Sequence, residues 1–160
     1  MAKAMTNGAI PMSAVGVSDN IYKTIVDAAP EKGVDFFHGY TYSGHPAACA
    51  AGLATLDIFE KEDMFARAKA LSNPFLDRFF DLKDLPVVTN MRGVGMLAAL
   101  DLAPDGAPGT RGYQAVQDLY EKGVLVKITG DTVMLSPAFV CEEADFDRMF
   151  DILRGVLATY

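Results

Sequence analysis

The chain has 160 residues, 21 Asp and Glu against 14 Lys and Arg, and 51% hydrophobic residues. A length of this order suits a domain that buries a core of its own, and a net charge of −7 without a basic cluster excludes a nucleic-acid backbone as partner. No apolar run approaches the eighteen or so residues of a membrane span, and the two cysteines and two histidines, Cys49, Cys141, His38 and His45, are not spaced as a metal centre or a redox pair.

The opening Met1-Ala2-Lys3-Ala4 lacks the zones of a signal peptide, which predicts a cytoplasmic protein with reduced cysteines. Ala9 to Val17 is short and apolar and predicts a buried strand or extended segment, with Pro11 near its edge. Ser18-Asp19 reads as an N-cap, and Ile21, Tyr22, Ile25 and Val26 recur at helical spacing until Pro30 and Gly33. Phe36 to His45 is aromatic, glycine-punctuated and aperiodic, so it predicts an ordered loop. Pro46 then suits a first helical turn, and Ala47 to Leu56 continue a helix apolar nearly all round, which predicts burial.

Charge returns at Glu60-Lys61-Glu62-Asp63, and the domain boundary is placed there, giving segments 1–59 and 60–160. Phe65, Ala68, Leu71, Phe75, Phe79 and Phe80 predict an amphipathic helix. Pro86 to Met91 and Gly95 to Leu102 read as two strands joined through Arg92-Gly93. A Pro- and Gly-rich loop, Ala103 to Gly109, leads into a helix from Thr110 to Lys122. Val124 to Ile128 and Thr132 to Leu135 read as strands turning at Gly130-Asp131, and Glu142 to Tyr160 as a closing amphipathic helix. Strands alternating with helices define an α/β unit, with helices covering a small sheet.

Three places could carry chemistry. Lys3 lies among small residues before the polar turn Thr6-Asn7-Gly8, where a partly dry pocket would favour the neutral amine of a nucleophile. Thr41 lies in a loop before a helix amino terminus, a setting suited to a phosphate dianion. The planar guanidinium of Arg92 can grip a carboxylate through two parallel hydrogen bonds. The residues alone equally fit a solvated lysine, a plain capped helix entry, and an arginine bonded to loop carbonyls or to a surface acid. His38 and His45 are assigned no role.

Four segments in order resemble one family, the class III or omega-amino-acid aminotransferases of PLP fold type I. Ala2 to Val15 resembles the segment around that family's Schiff-base lysine, which implies that Lys3 is the catalytic, cofactor-bearing residue. Phe37-His38-Gly39-Tyr40-Thr41-Tyr42-Ser43-Gly44-His45-Pro46 resembles the loop whose threonine binds the phosphate of the neighbouring subunit's pyridoxal 5′-phosphate, which implies that role for Thr41. Met91-Arg92-Gly93-Val94-Gly95-Met96 is similar to the small-domain segment whose arginine pairs with the substrate carboxylate, which implies that role for Arg92. Gly123 to Pro137 resembles the strands and turn before the last helix.

The resemblance covers the chain from end to end and implies the end of the large domain (1–59) followed by the small carboxyl-terminal α/β domain (60–160). It implies amino transfer from an amine or omega-amino acid to a keto acid such as pyruvate, in a homodimer or larger assembly, with no metal. In this family the acid facing the pyridine nitrogen, the ring-stacking aromatic residue and the glycine-rich phosphate turn all precede the lysine. The chain by itself is therefore expected to be incompetent without a complementing amino-terminal part. The alternatives are a non-catalytic fragment or packing module, and a class III enzyme for ornithine, 4-aminobutyrate or an aminomutase substrate.

Overall fold

The computed structural model describes residues 1–36 and 38–160. Phe37, part of the expected loop, lies outside them. The chain divides into two compact units, Met1–Asp63 and Met64–Tyr160.

The first unit is built from turns and two helices. The segment expected as a strand is not one. Met1 and Ala14 exchange backbone hydrogen bonds of 2.7 and 2.9 Å, but residues 11–18 join no strand ladder. Val15 and Val17 are exposed, because a strand is buried only when neighbours pair with it and cover it. Helix α1 spans Asp19–Asp27, with Ser18 as N-cap accepting from the Ile21 amide at 3.4 Å. It buries no residue, and Ile21, Tyr22 and Ile25 stay open to solvent.

Helix α2 spans Pro46–Lys61 with Pro46 in its first turn, as its residues predict. Its burial differs from expectation: only Ala48 and Thr55 are buried, while Leu53, Leu56 and Ile58 are exposed. Small residues let a helix approach neighbours closely, but the first unit supplies few neighbours for this one to approach.

The second unit holds the core. Helix α3 (Met64–Phe80) directs Phe75 and Phe79 inward, each with no exposed surface, and continues into a 3₁₀ turn at Asp81–Asp84. Strands β1 (Val88–Val94) and β2 (Leu97–Leu102), helix α4 (Thr110–Glu121), strands β3 (Lys127–Thr129) and β4 (Thr132–Leu135) and helix α5 (Glu143–Leu157) follow. The sheet has the order β1-β2-β4-β3 and every pair is antiparallel.

One sheet face is apolar by alternation: Ala98, Leu100 and Leu102 of β2 and Val133 and Leu135 of β4 pack with Phe75, Phe79, Leu119, Phe146 and Leu153 from the three helices. The opposite face carries Asn90, Arg92, Asp101 and Thr132. The fold class is α/β, as expected.

The hairpin between β1 and β2 turns at Gly95-Met96, with Val94 paired to Leu97. It does not turn at Arg92-Gly93, as the residues had suggested. The turn needs a left-handed backbone, and Gly95 supplies it at φ +58°. Arg92 is therefore a strand residue opposite Ala99. The strand expected at Val124 to Ile128 starts only at Lys127, because ladder bonds to β4 begin there.

Candidate functional site

In the first unit an open cleft of about 1000 Å³ is lined by Lys3, Thr6 and Met12 together with Thr41, Tyr42, Ser43, His45 and Cys49. Two of the three sequence-predicted residues, Lys3 and Thr41, thus share one cavity of one chain. Lys3 sits at the start of a turn with φ +58°, and Asn7 closes it at φ +49°. Left-handed backbone costs a residue bearing a Cβ roughly 1–2 kcal/mol. The turn is tied down by Thr6, which is buried and donates its hydroxyl to the Ile10 carbonyl at 2.6 Å. The Lys3 side chain is exposed, so the partly dry pocket read from its small neighbours is not formed by this chain.

The lining includes the entry to α2, at His45, Ala48 and Cys49. No side chain caps this helix, His45 stands at the cap position, and Pro46 follows it. Gly44 at φ +66° turns the loop into the helix. Uncapped amides at a helix start attract an anion, and Thr41 and Ser43 also line the cleft. No carboxylate lines the cleft among the described residues, so nothing here matches a ring nitrogen.

The third residue, Arg92, belongs to the second unit. Its Nη1 and Nη2 donate to Asp101 Oδ2 and Oδ1 at 2.8 and 3.2 Å. Thr132 Oγ1 donates to Asp101 Oδ1 at 2.7 Å, and Asn90 Nδ2 donates to Oδ2 at 3.1 Å. The hydrogen bonds from Arg92 and Thr132 hold the Asp101 carboxyl down at about 2, below the usual range of its kind. The same pairing raises the Arg92 guanidinium.

Sequence reasoning missed Asp101, Asn90 and Thr132, although a signal existed. With the hairpin turning at Gly95-Met96, register alone sets Asn90 opposite Asp101 and Asp101 opposite Thr132. It also missed Asp131, which follows the β3–β4 turn and accepts from the Gly109 and Gly112 amides at 2.9 Å each. Those two bonds lower its carboxyl and cap α4 from outside the helix.

Residues 1–157 match the family model "Aminotransferase class-III". Among curated proteins the chain is 42% identical to an omega-aminotransferase of Caulobacter vibrioides over 98% of its own length and 36% of the relative's. It is 41% identical to a beta-alanine–pyruvate aminotransferase of Pseudomonas aeruginosa, with the same coverage of both chains. Among solved structures it superposes on a transaminase with L-alanine at a TM-score of 0.90 and 30% identity, covering 99% of this chain and 39% of that one. It superposes on a PLP-bound amine transaminase from an uncultivated Pseudomonas species at a TM-score of 0.83 and 33% identity, covering 99% and 37%.

The chain belongs to the class-III aminotransferase family. It spans about a third of the length of the curated relatives it matches.

Proposed function

We propose that this chain is the carboxyl-terminal part of a pyridoxal-phosphate-dependent transaminase that moves an amino group from an amine or omega-amino acid to a keto acid such as pyruvate. The observation that carries the reading is the match of residues 1–157 to the family model; an exposed Lys3 and, separately, a helix start at α2 without a side-chain cap near Thr41 support it, since in the family pattern the two serve sites of different subunits. The names of the relatives support the substrate class, since one acts on beta-alanine with pyruvate and another on putrescine with pyruvate.

When bound, pyridoxal phosphate supplies an electron sink beside the substrate carbon that loses its proton. Lys3 would hold the cofactor through Nζ, and the same amine would move the proton at that carbon. Thr41 Oγ1 and the first amides of α2 hold the phosphate, in the family pattern that of the neighbouring subunit. Residues 1–59 serve as the end of the cofactor-binding domain and 60–160 as the small domain, in a cytoplasmic homodimer or larger assembly. The ring nitrogen's partner comes from an amino-terminal part, since the cleft offers no acid among the described residues.

The test is reconstitution. The chain is mixed with pyridoxal phosphate, alone and with the amino-terminal part of a class-III relative, then reduced with borohydride and mapped by mass spectrometry. Label on Lys3, absent in Lys3→Ala, together with alanine formed from pyruvate in the complemented sample, is the expected result. Absence of both label and alanine in the complemented sample sinks the reading.

A second reading is favoured by the exposure of Lys3 and by the apolar residues left open on α1 and α2. On this reading the chain is a non-catalytic packing module. Stable association with the amino-terminal part, without label on Lys3, is its signature.

A further inference from the structure

We propose that the carboxylate Arg92 is built to hold is Asp101 of its own sheet, and that substrate carboxylates are not its ligand.

Acceptor capacity makes the first argument. A carboxylate offers about four lone-pair sites, and Asp101 has all of them filled. Oδ1 accepts from Arg92 Nη2 and Thr132 Oγ1, and Oδ2 accepts from Arg92 Nη1 and Asn90 Nδ2. The guanidinium meets this group fork to fork, the geometry in which arginine binds carboxylates most selectively. An external carboxylate seeking the same two-pronged grip on Nη1 and Nη2 would have to displace a partner that already sits two residues along the paired strand, at the high effective concentration of an intramolecular contact.

Topology makes the second argument. Asn90, Asp101 and Thr132 form one row across β1, β2 and β4, with Asn90 opposite Asp101 and Asp101 opposite Thr132. Arg92 lies two residues along β1, on the same face. The row stands directly beside the irregularity of β1, where the pairing shifts between Val88 and Asn90. Beyond that shift, a one-residue slip of β1 would turn Arg92 and Asn90 into the core and Met91 out of it. The clasp fixes that register from the side opposite the core. Thr89 adds to it by donating its hydroxyl to the Asp101 carbonyl oxygen at 3.0 Å.

The experiment uses the 160-residue chain and needs neither cofactor nor turnover, so its outcome is separate from that of the transaminase reading. Propionate is titrated into the ¹⁵N-labelled chain while the Arg92 Nε–H resonance is followed, and the Asp101 carboxyl is titrated by ¹³C NMR. The expected result is no saturable shift of Arg92 at propionate concentrations well above ~1 mM, the upper end of ordinary KM values. The Asp101 midpoint is expected near 2 in the parent chain and raised toward the usual carboxylate range in Arg92→Gln. Amide exchange along Val88–Val94 is expected to accelerate in Asp101→Asn. A saturable propionate shift at Arg92 in the parent chain overturns the proposal, and so does an Asp101 midpoint that Arg92→Gln leaves in place. The parent-chain titration holds even if a variant does not fold.

Discussion

At Asp101 the sign of the pH dependence follows from the direction of its shift. Its folded-state carboxyl sits at about 2, below the value it has in an unfolded chain. The stabilisation it gives is complete above the unfolded value of ~3.9. It is lost as the pH falls through the folded one. Urea midpoints measured between pH 5 and 2 should decline over that window, and Arg92→Gln should flatten this part of the decline. At Gly112 the constraint is steric. A Cβ there would stand 2.0 Å from the Gly130 carbonyl oxygen, which is backbone and cannot swing away. Gly112→Ala should cost roughly 1–3 kcal/mol, as overpacking does, and urea unfolding will show it. Phe75 is the converse case. It is fully buried and rings with Phe79, Phe146 and Phe150 lie around it. Phe75→Ala should cost about 3–5 kcal/mol.

Among the elements, α5 is fixed at its start by two devices. Glu142 and Asp145 form a reciprocal capping box. Arg67 of α3 reaches across to the carbonyl oxygens of Phe139 and Cys141 at 2.6 and 2.9 Å and to Glu142 at 2.7 Å. It also reaches the Val140 carbonyl oxygen at 3.4 Å, so Arg67→Ala removes the donors of four groups at once and should destabilise by roughly 1–3 kcal/mol, with amide exchange rising first at residues 139–146. Legibility from the sequence divides along the same line between local and long-range. Ser18, Pro46, Gly109 and Gly130 announced helix starts and a turn through their own backbone preferences, and the structure keeps each of them. The strand read at Ala9 to Val17 and the burial read for α2 depended on neighbours that the first unit does not provide. Arg92 fell between the two cases. Its chemistry was readable as carboxylate-binding, but its carboxylate became visible only after the hairpin turn was set at Gly95, which Arg92-Gly93 had mimicked. Lys3 and Thr41 had settings suggestive of chemistry, but their roles rested on resemblance, since nothing in their spacing brings residues 38 apart to one cleft.

For the molecule as a whole, the two units differ in kind. Met64–Tyr160 has a contiguous core beneath a four-stranded sheet, whereas among the described residues of Met1–Asp63 only Ala48, Thr6 and Thr55 are buried. Expressed separately, residues 64–160 should unfold cooperatively in urea, and residues 1–63 should show no cooperative transition by circular dichroism. In the complemented enzyme the sharing of sites can be read from mixed dimers. If Thr41 serves the neighbouring subunit, a dimer of one Lys3→Ala chain and one Thr41→Ala chain keeps one whole site, and half the cofactor should remain. If both residues act within one chain, neither site is whole.

The capping of α4 by Asp131 has a consequence for anyone cutting or tagging this chain. Hairpin tips such as Gly130-Asp131 are the usual choice for inserting a peptide or opening a circular permutant. Here the tip is also the missing first turn of a helix that lies 19 residues earlier in the sequence. An insertion there would fray α4 while leaving both hairpin strands paired.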